Sequence, residues 1–383
     1  MEYLQKKFQG ILLENFKDGD LAKLFSESEY YNDIQFSNSK LNKMKNLFNF
    51  EKISNMEEYN EIIKLSDVIL ADKLHLDNNQ IDSFEYFSGQ TFPNLKELYL
   101  DNNNISSFKG LSEETFPNLK KLYLNNNKIT SLEIFSGQKF PNLKTLNLRN
   151  NQITSFKELS GKTFPNLKYV DLDNNQISSL EGLSGQIFPK LKKLSLNNNQ
   201  ISSFKELSKK IFPNLEILYL SYNKISSLKD LSGKVFPKLK TLNLYNNQIY
   251  SLEGLSEGIF PKLEILNLND NKIFSLEGLY GEIFPNLIIL FLDYNQIFSF
   301  KGLSNEVFPK LEKLLISNNQ ITSFKELYGE TFPNLKELYL RGNQISSFKG
   351  LSRKIFPNLK ELDLHNNQIP PNLNVNLWRD YID

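Results

Sequence analysis

Few side chains in this sequence have a type and spacing that could catalyse a reaction or hold a metal. There is no cysteine, which excludes thiolate catalysis, disulfides and cysteine-based zinc sites. The two histidines, His75 and His365, lie at opposite ends of the repetitive part of the chain and cannot serve one site. Calcium-binding turns at Asp77, Asp101 and Asp173 are a weaker alternative, because the Asn-Asn turns around them satisfy their own hydrogen bonds. We therefore predict no enzyme activity, no catalytic residue, no cofactor and no bound metal.

The side chains that could bind a partner are instead aromatic and aliphatic, and they are concentrated between residues 217 and 315. Aromatic anchors with few charges around them are typical of the centre of a protein interface. We call the following set the aromatic patch: Ile217, Tyr219, Tyr222, Tyr245, Tyr250, Ile265, Phe274, Ile289, Phe291, Tyr294, Phe298 and Leu315. Whether these residues share a surface depends on the elements that carry them.

A repeat of 24 residues carries the patch. A Phe-Pro pair recurs every 24 residues from Phe92 to Phe356 without insertion or deletion, and a fixed period of this length is the signature of a stacked-repeat solenoid. We number each repeat from the residue after Phe-Pro-Asn or Phe-Pro-Lys, so that repeat 1 begins at Ala71, repeat 7 at Leu215 and repeat 13 at Leu359. Apolar residues occupy positions 1, 4, 6, 11, 14, 17 and 22, and position 9 is asparagine in all thirteen repeats.

This pattern predicts a short strand in each repeat. The spacing Leu-x-x-Leu-x-Leu over positions 1 to 6 has the period of a β-strand that points positions 4 and 6 into the core. Positions 3, 5, 7 and 8 then lie on the opposite face of a parallel sheet, where repeat proteins bind their partners. A polar side chain among core residues must be hydrogen-bonded. The position-9 asparagines therefore predict a structural ladder that bonds the backbone of its own turn and of the next repeat.

The pattern L-x-x-L-x-L-x-x-N-x-I resembles the leucine-rich repeat signature. With the preceding phenylalanine it resembles the intracellular class typified by the nuclear regulatory subunit of protein phosphatase 1, and bacterial internalin repeats are similar. The resemblance covers Ala71 to about Pro371. It implies an α/β solenoid, a leucine-rich-repeat horseshoe with a parallel β-sheet on the concave face and short helical or 3₁₀ segments on the convex face. This chain departs from the class by two extra residues before the Phe-Pro pair, and by phenylalanine where leucine or isoleucine is usual.

Three regions follow from the repeat boundaries. Residues 1–70 do not repeat and predict a mainly helical N-terminal cap. Residues 71–371 hold the thirteen repeats, the first degenerate and the last truncated at a Pro-Pro pair, and residues 372–383 predict a short C-terminal cap. Residues 18–36 faintly resemble the opening of a BTB/POZ domain, of which the segment before the repeats is too short to be more than a remnant.

Charge and hydropathy limit the partners. A net charge of +1 gives no broad field that would favour nucleic acid or an anionic membrane. The first twenty residues are charged throughout and do not read as a signal peptide. No apolar run approaches the roughly 18 residues of a membrane span.

The sequence thus predicts a cytoplasmic, non-catalytic scaffold or adaptor that binds a protein partner on the concave face. The resemblance leaves two alternatives, a regulatory subunit of an enzyme such as a protein phosphatase, and a surface or host-interaction protein of internalin type. We predict a monomer. Self-association through the aromatic patch, and neutral drift of near-identical repeats, are the competing interpretations of that patch.

Overall fold

The computed structural model describes residues 71–371, except residues 90, 134–139, 160–162, 184–186, 206–211, 232–235, 256–257, 278 and 280. The two predicted caps, at residues 1–70 and 372–383, therefore lie outside the described residues. The chain divides into two compact units. The first comprises Met1–Ile129 and Ile134–Leu143, and the second comprises Thr130–Glu133 and Lys144–Asp383.

Each repeat contributes one strand of three residues, at positions 3 to 5. The strands are β1 Lys73–His75, β2 Glu97–Tyr99, β3 Lys121–Tyr123, β4 Thr145–Asn147, β5 Tyr169–Asp171, β6 Lys193–Ser195, β7 Ile217–Tyr219, β8 Thr241–Asn243, β9 Ile265–Asn267, β10 Ile289–Phe291, β11 Lys313–Leu315, β12 Glu337–Tyr339 and β13 Glu361–Asp363. Strands β1 to β3 pair in chain order in the first unit, and β4 to β13 do so in the second. All of these pairs are parallel, so the predicted parallel sheet is confirmed.

The register follows from the constant repeat length. Ile217 pairs with Thr241 and Thr241 with Ile265, each one repeat further along the chain. Every position therefore lies beside the same position of its neighbour. Both units are solenoids in which one residue type is stacked on itself, and the sequence patterns of positions 3, 5, 7 and 8 can be read directly as rows across the sheet.

The core consists of such stacked rows. Leucines at positions 1, 4 and 6 and isoleucine at position 11 are buried, as are the phenylalanines of the Phe-Pro pairs. The rings of Phe260, Phe284 and Phe308 stack with centroids 6.3 and 5.5 Å apart and nearly parallel planes. Burial of each large apolar side chain stabilises the fold by about 1.5–3 kcal/mol. The apolar pattern of the repeat is therefore the source of the fold.

The asparagine ladder at position 9 is present, and its direction corrects the prediction. The buried Asn223 donates through Nδ2 to the carbonyl oxygen of Leu220 in its own turn, at 3.0 Å. It also donates to the carbonyl oxygen of Leu196, at 2.9 Å, and its Oδ1 accepts the Ile201 N–H at 3.0 Å. Leu196 and Ile201 belong to the preceding repeat. The prediction of a bond to the next repeat was wrong, because the side chain of position 9 points back along the solenoid.

Of the predicted short helical or 3₁₀ segments, the described residues show only 3₁₀ segments. The described residues contain no α-helix, and their helical content is limited to four 3₁₀ segments. These segments are Phe84–Phe87, Lys157–Leu159, Lys229–Leu231 and Lys325–Leu327. The last three carry Glu or Asp at position 16, whereas five described residues at this position are glycines with a positive φ, such as Gly254 (φ 99°).

Neighbouring repeats pack closely at the 3₁₀ segments. Gly254 of repeat 8 lies against the 3₁₀ segment of repeat 7, and a Cβ at Gly254 would collide with the Cα of Lys229. Glu253, the residue before Gly254, forms an ion pair with Lys229 of the preceding repeat, with Nζ and Oε2 2.9 Å apart. The backbone of Gly254 and the Lys229–Glu253 ion pair thus hold the 3₁₀ segment of repeat 7 against repeat 8.

Candidate functional site

The structure places the aromatic patch on two parts of the second unit. Nine of its residues lie on the open face of the sheet, by which we mean positions 3, 5, 7 and 8. The other three, Tyr250, Phe274 and Phe298, occupy position 12, beyond the buried asparagine and isoleucine of positions 9 and 11. We call these three residues the flank row. The sequence-predicted patch is thus an arrangement of several rows.

The first row on the open face is aliphatic. Parallel pairing places Ile217, Thr241, Ile265 and Ile289 side by side at position 3 of strands β7 to β10. The isoleucines are half-buried. Lysines close the row at both ends, since Lys193 pairs with Ile217 and Lys313 pairs with Ile289. The result is a short apolar strip bounded by two cations.

The second row, at position 5, is interrupted. Tyr219 and Phe291 belong to it, but Asn243 and Asn267 lie between them in the sheet. Phe291 is paired with Leu315 on its other side, and Leu315 with Tyr339. The structure therefore brings Phe291 and Leu315 together and separates both from Tyr219.

A backbone requirement explains the interruption. The N–H of Tyr245, at position 7, is accepted by Oδ1 of Asn243 in the same repeat at 3.0 Å, and Asn267 serves Asn269 in the same way. In repeats 10 and 11 the acceptor comes instead from position 7 of the preceding repeat. Oδ1 of Asn269 accepts the N–H of Asp293, and Oδ1 of Asp293 accepts that of Ser317, both at 2.6 Å. Position 5 of repeats 10 and 11 then does not need to accept this N–H, and it is occupied by the apolar Phe291 and Leu315.

Sequence reasoning missed this dependence, although its signal is present. Asparagine or aspartate stands at position 5 where the preceding repeat has Arg149, Ser221, Tyr245 or Arg341 at position 7. In each repeat that follows one of these four residues, the position-7 N–H instead donates to the position-5 side chain of the same repeat. The polar centre of the patch is therefore a consequence of Tyr245 and Ser221, and is structural.

Tyrosines cluster where the strands turn. The rings of Tyr222 and Tyr245 meet edge to face, with centroids 5.1 Å apart and an angle of 84° between their planes. The hydrogen bond between Tyr245 and Tyr222 raises the pKa of Tyr245 most, and the hydrogen bond with Asp270 raises it further. Tyr294 lies two repeats beyond Tyr245 along the same turn and is 59% exposed. This turn combines three tyrosines with the carboxylates of Asp270 and Asp293.

Two of these tyrosines have an unusual backbone. Tyr222 and Tyr294 adopt φ values of 55° and 56°, in the left-handed region. Most other repeats place asparagine at this position with the same φ. Asparagine visits this region readily, whereas a bulky side chain does so rarely. Both tyrosine rings are exposed.

The flank row is continuous. The Phe274 N–H donates to the carbonyl oxygen of Tyr250, and the Phe298 N–H donates to that of Phe274, each at 3.4 Å. All three rings are between 44% and 49% exposed. Serine or threonine occupies position 12 in most other repeats. One exposed side chain next to the patch was missed by sequence reasoning, Ile288 at position 2 of repeat 10.

The histidines are engaged in local contacts. The ring of His75 stacks on Tyr99 with centroids 4.2 Å apart. Nδ1 of His365 lies 2.7 Å from Oδ1 of Asp363. Within the described ranges, no group of three or more histidines or carboxylates is placed to hold a metal ion. The same part of the chain has no helix with the length and apolar content needed to cross a membrane.

The repeats match a known family. The family described as Leucine Rich repeats (2 copies) matches residues 72–113, 117–161, 141–185, 189–233, 237–281 and 333–374, more than half of the chain. The chain belongs to the leucine-rich-repeat family. The membership agrees with the asparagine ladder, the parallel strands and the stacked core.

Solved leucine-rich-repeat structures share this fold. An internalin (inlF) from Listeria monocytogenes is 22% identical over 84% of this chain and 94% of its own, with a TM-score of 0.55. The APL1 leucine-rich repeat domain is 23% identical over 80% of this chain and 70% of its own, also at 0.55. A chain of the LRIM1/APL1C complex is 23% identical over 79% of this chain and 53% of its own, with a TM-score of 0.53. No curated protein sequence matches the chain. At these identities the similarity shows the fold.

Proposed function

We propose that this leucine-rich-repeat chain is a non-catalytic protein-interaction module whose partner binds the aromatic patch of repeats 7 to 11. One observation carries the proposal. Exposed aromatic rings are concentrated in these repeats at turn and flank positions where other repeats carry asparagine, serine or threonine. Exposed apolar groups rimmed by polar ones commonly mark interaction sites.

The left-handed tyrosines favour this proposal over neutral drift. Replacing asparagine by tyrosine at a φ near 55° costs about 1 kcal/mol of backbone strain. Tyr294 is more than half exposed, so packing within the fold does little to offset that cost. A destabilising, exposed aromatic residue that occurs twice in the same patch is expected of a binding surface.

The chemistry of the patch is that of a protein interface. Tyrosine offers a large apolar ring with a hydroxyl that can bond across an interface, and it is enriched among residues that dominate binding energy. The matched LRIM1/APL1C structure is that of a complex. We extend complex formation to this chain as part of the proposal.

A variant that restores the common residues tests the proposal. We would combine Tyr222→Asn, Tyr250→Thr, Phe274→Ser, Tyr294→Asn and Phe298→Ser, since each introduces a residue found at the same position of other repeats. Affinity capture from native lysate would compare the intact chain with this variant. We expect the variant to lose the captured partner and to keep or raise its melting temperature.

Exposed aromatics outside the patch provide a matched control. Tyr169 and the 91% exposed Tyr328 lie in repeats 5 and 11, at positions 3 and 18. The variant Tyr169→Thr with Tyr328→Ser should capture the partner as the intact chain does. Equal capture by the patch variant and the intact chain would contradict the proposal. If the intact chain and the control variant form a concentration-dependent oligomer and the patch variant does not, the partner is a second copy of the chain.

A further inference from the structure

We propose that the partner of the aromatic patch presents arginine or lysine side chains beside aliphatic ones, and that Asp270 and Asp293 receive these cations at the tyrosine-lined turn. The inference rests on the proposed function and specifies the chemistry of the partner. It is carried by the charge of the surface, the surroundings of its carboxylates and the way this sheet already binds ammonium groups.

The only charged side chains that repeats 7 to 10 contribute to the open face are carboxylates, and the nearest cations, Lys193 beside Tyr219 and Lys313 beside Ile289, come from the repeats at either end. The sixteen residues at its positions 3, 5, 7 and 8 include Asp270 and Asp293 and no lysine or arginine. The same positions of neighbouring repeats do include cations, such as Arg149, Lys193 and Lys313. The part of this face around Asp270 and Asp293, which contributes two carboxylates and no cation of its own, is complementary to an apolar segment that bears positive charge.

The carboxylate of Asp293 is poorly compensated. Burial raises the pKa of Asp293, and the like charge of Asp270 raises it further, while hydrogen bonds from Ser317 act against both. Asp171 in repeat 5 is a useful contrast, because the positive charges of Arg149 and Lys193 partly oppose the effect of burial on its pKa. A partner's cation at Asp293 would act against the burial that raises the pKa of this carboxyl.

This sheet already shows how an ammonium group binds to it. The Lys193 Nζ lies 5.0 Å from the ring centroid of Tyr219, and the Lys313 Nζ lies 4.9 Å from that of Tyr339. Both contacts have the geometry of a cation–π interaction. Tyr294 offers an exposed ring directly after Asp293 in the chain and one repeat beyond Asp270 at the same position. A partner's cation at this turn would meet a ring and a carboxylate together.

The neighbouring rows define the rest of the segment. Ile265 and Ile289 lie side by side at position 3 of β9 and β10, the same repeats that supply Asp270 and Asp293. A segment that meets the turn with a cation and continues along the strands toward position 3 would reach these isoleucines. Aliphatic residues that alternate with arginine or lysine fit both features.

Three peptides of equal length, one cationic, one anionic and one uncharged, test this inference. Fluorescein-labelled peptides that alternate leucine with arginine, glutamate or serine would be titrated with the full chain, and binding followed by fluorescence anisotropy. We expect the leucine–arginine peptide to bind most tightly and to weaken as salt is added. In the double variant Asp270→Asn with Asp293→Asn, its affinity should fall about tenfold.

The double variant is designed to preserve the fold. Asparagine is common at position 8 in the left-handed region, and position 7 is asparagine at Asn125, Asn197 and Asn269. An asparagine at residue 293 still offers an oxygen to the Ser317 N–H. Asp101→Asn, which removes a position-7 carboxylate in repeat 2, is the matched control and should leave the affinity unchanged.

Each outcome separates this inference from the proposed function. A leucine–serine peptide that binds as tightly as the leucine–arginine peptide would overturn the charge preference and leave an apolar interface in place. Failure of all three peptides to bind would overturn the inference, while capture by the five-residue patch variant still decides the proposed function. An equal loss of affinity in the Asp101→Asn control would show that the cationic peptide binds acidic groups at large, which also contradicts the inference.

Discussion

Oδ1 of Asn269 accepts the backbone N–H of Asp293 in the next repeat, at 2.6 Å. The N–H of Asp293 is thereby satisfied without help from position 5 of its own repeat, which is Phe291. In repeat 8 the opposite arrangement holds, because Ser221 of the preceding repeat does not reach the N–H of Tyr245 and Asn243 accepts it. In repeats 8 and 10 the residue at position 7 of the preceding repeat therefore accounts for the residue at position 5.

Removal of the acceptor should destabilise the fold unless position 5 replaces it. We expect Asn269→Ala to lower the free energy of unfolding by about 1 kcal/mol, because the Asp293 N–H loses its partner. The double variant Asn269→Ala with Phe291→Asn should recover most of that loss, as Asn243 does for Tyr245. Urea unfolding followed by circular dichroism measures both. Arg341→Ala is the control, since the His365 N–H is bonded to Asp363 of its own repeat. A loss in the control equal to that of Asn269→Ala would contradict the dependence.

The position-9 ladder should be more costly to break. Asn223→Ala leaves the Ile201 N–H and the carbonyl oxygens of Leu196 and Leu220 without this partner in a buried turn. Each unsatisfied buried group costs about 1–3 kcal/mol, so we expect a loss of at least about 2 kcal/mol in the same urea assay. The exposed Gln200→Ala, at position 10, should change stability by less than about 0.5 kcal/mol. Similar values for the two variants would show that the ladder carries no special weight.

The strain at the left-handed tyrosines is measurable by itself. We expect Tyr294→Asn to raise the free energy of unfolding by about 1 kcal/mol, because asparagine tolerates a φ of 56° better than tyrosine does. The reverse change, Asn246→Tyr at a φ of 53°, should lower stability by a similar amount. Calorimetric melting of the two variants beside the intact chain provides the measurement. Destabilisation by Tyr294→Asn would show that the ring packs into the fold, and would weaken the case for a binding surface.

The stability contributed at Asp293 should depend on pH in a defined direction. Burial raises the pKa of Asp293 above its ordinary value of 3.8, so the folded state binds this proton more tightly than the unfolded state does. The ionised carboxylate therefore destabilises the fold above the raised folded pKa, and this effect disappears below 3.8. Asp293→Asn should raise the melting temperature at neutral pH, and the gain should shrink as pH falls through that window. A gain that is independent of pH would assign the effect to something other than this charge.

Glycine at position 16 should be required by the preceding repeat as well as by its own φ. Gly254→Ala places a Cβ against the backbone of Lys229, so we expect a loss of more than about 2 kcal/mol. Gly258→Ala is the control, since Gly258 also has a positive φ of 81° but nothing lies within 4 Å of the added Cβ. That control should lose only about 1 kcal/mol from the backbone. Equal losses in the urea assay would contradict the role of the close approach between repeats.

Much of the fold is readable from the repeat because its determinants are local and periodic. The apolar spacing around Leu218 and Leu220 is sufficient to predict a strand with two inward residues, and the buried amide of Asn223 follows from the need to satisfy polar groups in a core. The aromatic patch is equally visible, because it consists of departures from the other repeats at the same positions. Its role as a binding site remains a prediction.

What the sequence by itself determined is the content of each row, since a constant 24-residue period places every residue beside its equivalents. Contacts between neighbouring repeats decided the rest. They turn the amide of Asn223 back to the preceding repeat, bring the 3₁₀ segment Lys229–Leu231 against Gly254, and place Asn243 and Asn267 between Tyr219 and Phe291. The physical reason is that backbone hydrogen bonds and close approaches join residues of adjacent repeats. Such interactions depend on which residue of the next repeat lies alongside and how near it comes, and the pattern within one repeat does not contain that information.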